Sequence, residues 1–209
     1  MNGCCIGVTG CIGSGKTTVT SMLADITGFY PICLDQLGHQ AYEEAEIRKQ
    51  VINHFHLGQA VSTGESIRKR ISEVVFCSET EKKWLENLLW PYMIQKTKKH
   101  IREHQKCIIE GVILYPAELD RFCRCVLQVQ TKKTVLIERL IGKGVSHERI
   151  NQVFSTQLNM LKPLRRTKIP QIVVRNDQTI EVLYDALVLL WEKKLRFFFE
   201  EEKITETRQ

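Results

Sequence analysis

Residues Gly10-Cys11-Ile12-Gly13-Ser14-Gly15-Lys16-Thr17 spell G-x-x-x-x-G-K-[ST] directly behind the apolar run Cys4-Cys5-Ile6-Gly7-Val8. No other feature of the chain restricts its folding so tightly, because the pattern describes a strand that feeds a phosphate-cradling loop and then a helix. At ordinary residue frequencies its chance occurrence in a chain this long is below about one in a hundred. The helix is legible as well. Val19, Met22, Leu23 and Ile26 recur at i, i+3, i+4 and i+7, the period of an amphipathic helix.

Each residue type in the loop has a chemical reason. A triphosphate is densely negative, so many donors must approach it with few side chains in the way. Gly10, Gly13 and Gly15 allow that approach and the positive dihedrals of the turn. The helix behind them offers unpaired amides and the positive end of its dipole. The spacing therefore predicts a nucleotide-binding set of Cys11, Ile12, Gly13, Ser14, Gly15, Lys16, Thr17 and Thr18. Lys16 is expected to reach the β and γ phosphates as a mobile charge, and the Thr17 hydroxyl to ligate Mg²⁺.

Composition bounds what surrounds this loop. With 209 residues, 43% hydrophobic and 26% charged, the chain can bury one substantial core with smaller lobes attached. No apolar run approaches the ~20 residues that a membrane span requires. The N-terminus lacks the basic region of a signal peptide, which makes the cytoplasm the expected compartment and a membrane partner unexpected. Eight cysteines in a reducing compartment are expected to be buried apolar thiols. Cys123 and Cys125, two residues apart on a strand, are expected on one face. Neither a C-x-x-C pair nor a clustered His/Cys spacing points to zinc. The net charge of +6 fits either a nucleic-acid surface or an enzyme of polyanionic small molecules. The basic residues are scattered through 68–70, 96–99, 132–133, 162 and 165–168 without a recognisable nucleic-acid module, so no nucleic-acid partner is expected.

Strand-like runs follow at Tyr30-Pro31-Ile32-Cys33-Leu34, which ends in Asp35, then at Cys107-Ile108-Ile109, Cys125 to Val129 and Ile172-Val173-Val174. Residues 38–103 are mostly helical in pattern, with turn signals at Leu57-Gly58 and Ser62-Thr63-Gly64. A basic helical stretch precedes the last strand. Thr179 is placed to cap a final helix that presents Ile180, Leu183, Leu187, Leu190 and Trp191 near one face. The expected fold class is α/β: a three-layer α/β/α P-loop NTPase-type fold with a mostly parallel five-stranded sheet. The expected division is a core at about 1–37, 104–137 and 169–199, a helical insertion at 38–103, a basic helical stretch at 138–168 and a polar tail at 200–209.

Asp35-Gln36-Leu37-Gly38 also spells D-x-x-G, but a GTPase would need an N-K-x-D-like guanine reader, and the sequence has none. An acid at the end of the second strand suits a kinase that orients an acceptor hydroxyl. From Gly7 to Thr18, through Leu34-Asp35-Gln36-Leu37 with His39-Gln40, the order resembles bacterial dephospho-CoA kinase. Further segments resemble the same family: Arg68 with Val75-Phe76, Trp84-Leu85-Glu86 with Pro91, Glu138-Arg139-Leu140 with Val145-Ser146, then Gln157, and Val173-Val174-Arg175-Asn176. The likeness covers nearly the whole chain.

The resemblance implies phosphorylation of the 3′-hydroxyl of dephospho-CoA by ATP, with Mg²⁺ as the metal. It implies that the insertion binds the acceptor and that the basic stretch at 138–168 is a small helical lid that folds over ATP. Asp35 then matches the acid that orients the hydroxyl or accepts its proton, with helix capping as its structural alternative. Arg139 and Lys143 stand where lid cations could neutralise the transferring group, and Arg165 and Arg166 are similar candidates. Arg68 would touch the acceptor or serve in an ion pair. Glu110 falls at an acid that could hold Mg²⁺ through water, or it is a polar strand end. Several positions depart from the family. A second acid is replaced by Cys33, a His-Pro by Trp90-Pro91, and a glutamate-bearing acceptor motif by Val112-Ile113-Leu114-Tyr115-Pro116. Lid arginines are replaced by Lys143 and Val153, and an Ala-Asp by Pro170-Gln171. Two alternatives stay open: a P-loop kinase for another nucleoside or nucleotide, and a nucleotide-binding protein without catalysis.

Overall fold

The computed structural model describes residues 4–58, 63–162 and 169–200. In chain order the elements are β1 (Cys5–Thr9), α1 (Lys16–Thr27), β2 (Tyr30–Cys33), α2 (Leu34–Ala41), α3 (Ala45–His54), α4 (Gly64–Cys77) and α5 (Glu79–His104). They continue with β3 (Cys107–Glu110), β4 (Cys123–Gln130), α6 (Lys133–Ile141), α7 (His147–Met160), β5 (Gln171–Arg175), α8 (Ile180–Leu190) and α9 (Phe197–Glu200). A π-helical segment, Trp191–Leu195, joins the last two helices. The chain forms two compact units, Met1–Ile32 with His100–Gln209, and Cys33–Lys99.

The first unit is built on a five-stranded sheet in the order β2-β3-β1-β4-β5. β1 pairs in parallel with β3 and β4, and β4 with β5. Every residue of β1 and β3 is buried, as expected for central parallel strands that read as continuous apolar runs. One face carries the main core. Ile6, Val8, Ile108, Cys125, Leu127, Val129 and Val174 pack there with Val19 and Leu23 of α1, Leu183 and Leu187 of α8, and Phe199 of α9. β1 stands where the order reverses, between β3 on one side and β4 on the other. In open α/β sheets that switch point, at the carboxyl ends of the strands, is where ligands bind.

Three expectations need correction here. The register of β4 against β1 shifts between Cys5, opposite Cys123, and Ile6, opposite Cys125. The extra residue, Arg124, makes a bulge, and a one-residue slip sends side chains to opposite faces. Cys123 and Val126 face the side on which a Cβ at Gly7 would lie, whereas Cys125 joins the Ile6 and Val8 face. Ile180 is 57% exposed, away from the buried face held by Leu183 and Leu187. Not every cysteine is buried: Cys77, the last residue of α4, is exposed, and Cys4 and Cys33 are half-buried.

The second unit is helical from Leu34 onward. α4 packs against both α2 and α3. Its buried side chains include Leu37, Ala41, Tyr42, Val51, Ile67, Ile71, Leu89 and Met93. Thr63 caps α4 by a reciprocal pair with Ser66, which satisfies two amides of the helix start. Ser62, the other residue named in that turn signal beside Thr63 and Gly64, lies outside the described residues.

Candidate active site

The loop between β1 and α1 has the geometry its sequence requires. Gly13 has φ 76° and Gly15 has φ 89°, in the left-handed region that costs an L-residue energy. Space is tight as well: a Cβ at Gly15 would stand 2.0 Å from Asn176 Nδ2 and one at Gly13 would stand 3.0 Å from Leu140 Cγ, so either would displace a neighbouring side chain. α1 begins without a side-chain cap and without an acidic residue in its first turn. Its first amides are therefore left to an anion, at the positive end of the helix dipole.

Lys16 is 8% exposed, and its Nζ donates to the Cys11 carbonyl at 3.2 Å. Thr17 Oγ1 donates to Glu110, 3.3 Å from Oε1 and 3.5 Å from Oε2. Glu110 is the last residue of β3, in register with Val8, and only 2% exposed. The fold thus brings Lys16, Thr17 and Glu110 together across the carboxyl ends of two adjacent strands. The buried Ser14 hydroxyl has no hydrogen-bond partner among the described residues. A phosphate chain with a hard divalent cation fits this set: unpaired helix amides, a cation, a hydroxyl and a carboxylate.

The loop is held from behind by residues far along the chain. Asn176 Nδ2 donates to the Ser14 carbonyl at 2.7 Å, and Thr131 Oγ1 to the same oxygen at 3.0 Å. Gln157 Oε1 accepts from the Ile12 amide at 2.6 Å. Cys11 packs with Leu136, Leu140, Ile150 and Leu161, and Ile12 flanks the same cluster. Cys11 and Ile12 are thus apolar because residues of α6 and α7 pack on them. Burial pushes the Cys11 thiol above its usual range against the opposing charge of Lys16, so it remains protonated. Asn176 and Gln157 belong to the segments that carry the resemblance, which implies no role for either. Thr131 gave no signal in the sequence beyond its place after a strand.

The lid cations separate. Arg139 Nη1 lies 3.9 Å from where a Gly15 Cβ would stand, so α6 carries it to the loop. Lys143 sits in the exposed turn after α6 and makes no ion pair or side-chain hydrogen bond among the described residues. Arg165 and Arg166 lie outside the described residues.

Asp35 and Arg68 belong to the helical unit. Asp35 does not end a strand: β2 stops at Cys33, and Asp35 occupies the first turn of α2, whose start has no side-chain cap. The physical reason is that Leu34 turns into the helix to bury its side chain completely. Arg68 Nε donates to the Gly64 carbonyl at 3.4 Å. His39, one turn beyond Asp35, is held below its ordinary pKa by partial desolvation and by the charge of Arg68, with Asp35 opposing. Burial pushes the Tyr42 hydroxyl up to about 12, against the same Arg68 charge. Asp35, His39, Tyr42 and Arg68 therefore form one electrostatic cluster. His39 lies in the stretch that carries the resemblance, and Tyr42 follows it on the same face, the two falling at i+4 and i+7 from Asp35.

Fold and loop together define a P-loop kinase-type nucleotide-binding protein. The family model described as dephospho-CoA kinase matches residues 4–181. A dephospho-CoA kinase of Coxiella burnetii is 34% identical over 198 residues, 91% of this chain and 96% of the relative. A crystal structure from Thermus thermophilus superposes with a TM-score of 0.71 at 23% identity, covering 93% of this chain and all of that one. The dephospho-CoA kinase of Campylobacter jejuni superposes with a TM-score of 0.59 at 21% identity over 92% and 98% of the two chains. These two structural likenesses speak for the fold alone. The chain belongs to the dephospho-CoA kinase family, and it is a kinase, a phosphoryl transferase.

Proposed function

We propose that this chain transfers the γ-phosphoryl group of ATP to the 3′-hydroxyl of dephospho-CoA, giving coenzyme A and ADP. The observation that carries the reading is the convergence of Lys16, Thr17 and Glu110 under a glycine loop in a chain of this family. Lys16 neutralises the β and γ phosphate oxygens. The Thr17 hydroxyl and the Glu110 carboxylate would hold Mg²⁺. When bound, the ion supplies charge neutralisation on the transferring group.

Phosphoryl transfer through a loose transition state depends mainly on positioning and electrostatics. Asp35 orients the acceptor hydroxyl and takes its proton. Arg68 binds the acceptor with His39 and Tyr42 beside it, so residues 38–103 act as the acceptor lobe. Arg139 neutralises charge on the γ phosphate from the lid at 138–168, with Lys143, in the same lid, as its second cation. Phosphate is contacted there through point charge at Lys143 and through a bidentate fork at Arg139. The expected compartment is the cytoplasm, whose reducing poise keeps thiols such as these eight free.

The test is a coupled ADP-release assay with dephospho-CoA, with other nucleotides bearing a 3′-hydroxyl, and with no acceptor. Turnover that requires dephospho-CoA is the expected result. ATP binding without acceptor-dependent turnover would make the chain a nucleotide-binding protein without catalysis. Preference for a different nucleotide would overturn the acceptor.

A further inference from the structure

The last turn of α5 carries His100-Ile101-Arg102-Glu103-His104, a H-x-x-E-H spacing that adds a carboxylate to a pair of histidines one turn apart. Residues at i, i+3 and i+4 share one helix face. Ligand atoms of His100, Glu103 and His104 all lie within 4.8 Å of one another. His100 Nδ1 is 3.8 Å from Glu103 Oε2, and it is buried without a hydrogen-bond partner among the described residues. A buried ring nitrogen beside a carboxylate and a second imidazole is a donor set short of an acceptor for its lone pairs.

The rings are held in place. Tyr30, the first residue of β2, stacks on His104 at 3.6 Å between ring centres with the planes 2° apart, and on His100 at 5.4 Å and 26°. The Tyr30 amide donates to the Lys106 carbonyl at 3.0 Å, which anchors the stacking ring to the turn that follows α5. A cavity of about 680 Å³ lined by Tyr30, His104, Gln105 and Lys106 adjoins the cluster and leaves room for water. The cluster stands before β3, whereas Glu110 ends it. The two sites are therefore separated by the length of a strand, roughly 10 Å.

We propose that His100, Glu103 and His104 bind a late first-row divalent cation, zinc foremost, at a site separate from the phosphate loop. The donor set suits it: two imidazoles and a carboxylate select zinc and its neighbours over magnesium or calcium. The geometry is within reach. An ion centred in a triangle of 4.8 Å edges lies about 2.8 Å from each corner, against roughly 2.0–2.2 Å for bonded zinc. Each ligand atom needs an inward shift of less than 1 Å, and water from the cavity completes a tetrahedron. The bound ion ties the end of α5 into one turn and stabilises the folded state in proportion to its occupancy.

Zinc titrated calorimetrically into the metal-free full-length chain should bind with one equivalent, and cobalt should give the visible absorption of a tetrahedral site. His104→Ala and Glu103→Gln should each weaken binding at least tenfold. His147→Ala and Cys77→Ser, exposed groups elsewhere, should leave it unchanged. Zinc should raise the thermal midpoint of the wild type and not that of His104→Ala, while acceptor-dependent turnover in Mg²⁺ is the same in both. Absence of saturable zinc binding overturns the proposal. So does binding that Cys77→Ser abolishes and His104→Ala leaves intact.

Discussion

The carbonyl of Ser14 offers a quantitative test of how the phosphate loop is held. It receives two donors, Asn176 Nδ2 at 2.7 Å and Thr131 Oγ1 at 3.0 Å, and Ser14 is only 1% exposed. Asn176→Ala removes one hydrogen bond while the oxygen keeps the other. The expected loss is about 1 kcal/mol, the usual net value of an internal hydrogen bond. Thr131→Val should cost a similar ~1 kcal/mol. The double variant leaves a buried carbonyl with neither donor, which adds a desolvation penalty of about 1–3 kcal/mol. Its total loss should therefore reach roughly 3–5 kcal/mol, with a coupling energy of at least about 1 kcal/mol. Urea unfolding of the four proteins measures the cycle, and ATP titration should show the weakest binding in the double variant. Additive losses within about 0.5 kcal/mol would refute the reasoning, because they would mean that water replaces the missing donors.

Glu110→Gln keeps the shape beside Thr17 and removes the charge; the Mg²⁺ concentration for half-maximal turnover should rise about 10- to 100-fold, and an unchanged Mg²⁺ dependence excludes a metal role. Asp35→Asn should lower turnover by about 10²- to 10⁴-fold while leaving ATP affinity intact, measured by steady-state kinetics and calorimetry; equal turnover removes Asp35 from the reaction. His39 titrates below its ordinary 6.5, so between those two values the unfolded chain binds more protons than the folded one and stability falls as pH drops through that window. Arg68→Gln should move the His39 titration upward and Asp35→Asn downward, followed by its ring proton resonance. A titration that neither variant shifts dissolves the cluster.

Much of the fold is legible along the chain because strands and helices repeat locally. The apolar runs at Cys107 and Ile172 form β3 and β5, and among the described residues the helical pattern after Gly38 forms α3, α4 and α5. β4 spans Cys123–Gln130 where the apolar run indicates only Cys125 to Val129, because Arg124 interrupts that run. The same residue makes the bulge that reverses Cys123 relative to Cys125, and no local signal distinguishes a bulge from an ordinary alternation. The sequence places Asp35 at a strand end because α2 follows β2 without a turn residue between them.

By itself the sequence determined the loop, the identities of Lys16 and Thr17, and a parallel sheet, since each rests on spacing within a few residues. Tertiary structure alone decided what fixes that loop. Ser14 is joined to Asn176 across 162 positions and Ile12 to Gln157 across 145, distances over which no periodicity carries information. It also decided that Glu110 meets Thr17, since parallel pairing of β1 with β3 aligns Val8 with Glu110. Hydrogen bonds and burial act between whichever groups the packed core brings within about 3 Å, and only the folded chain says which groups those are.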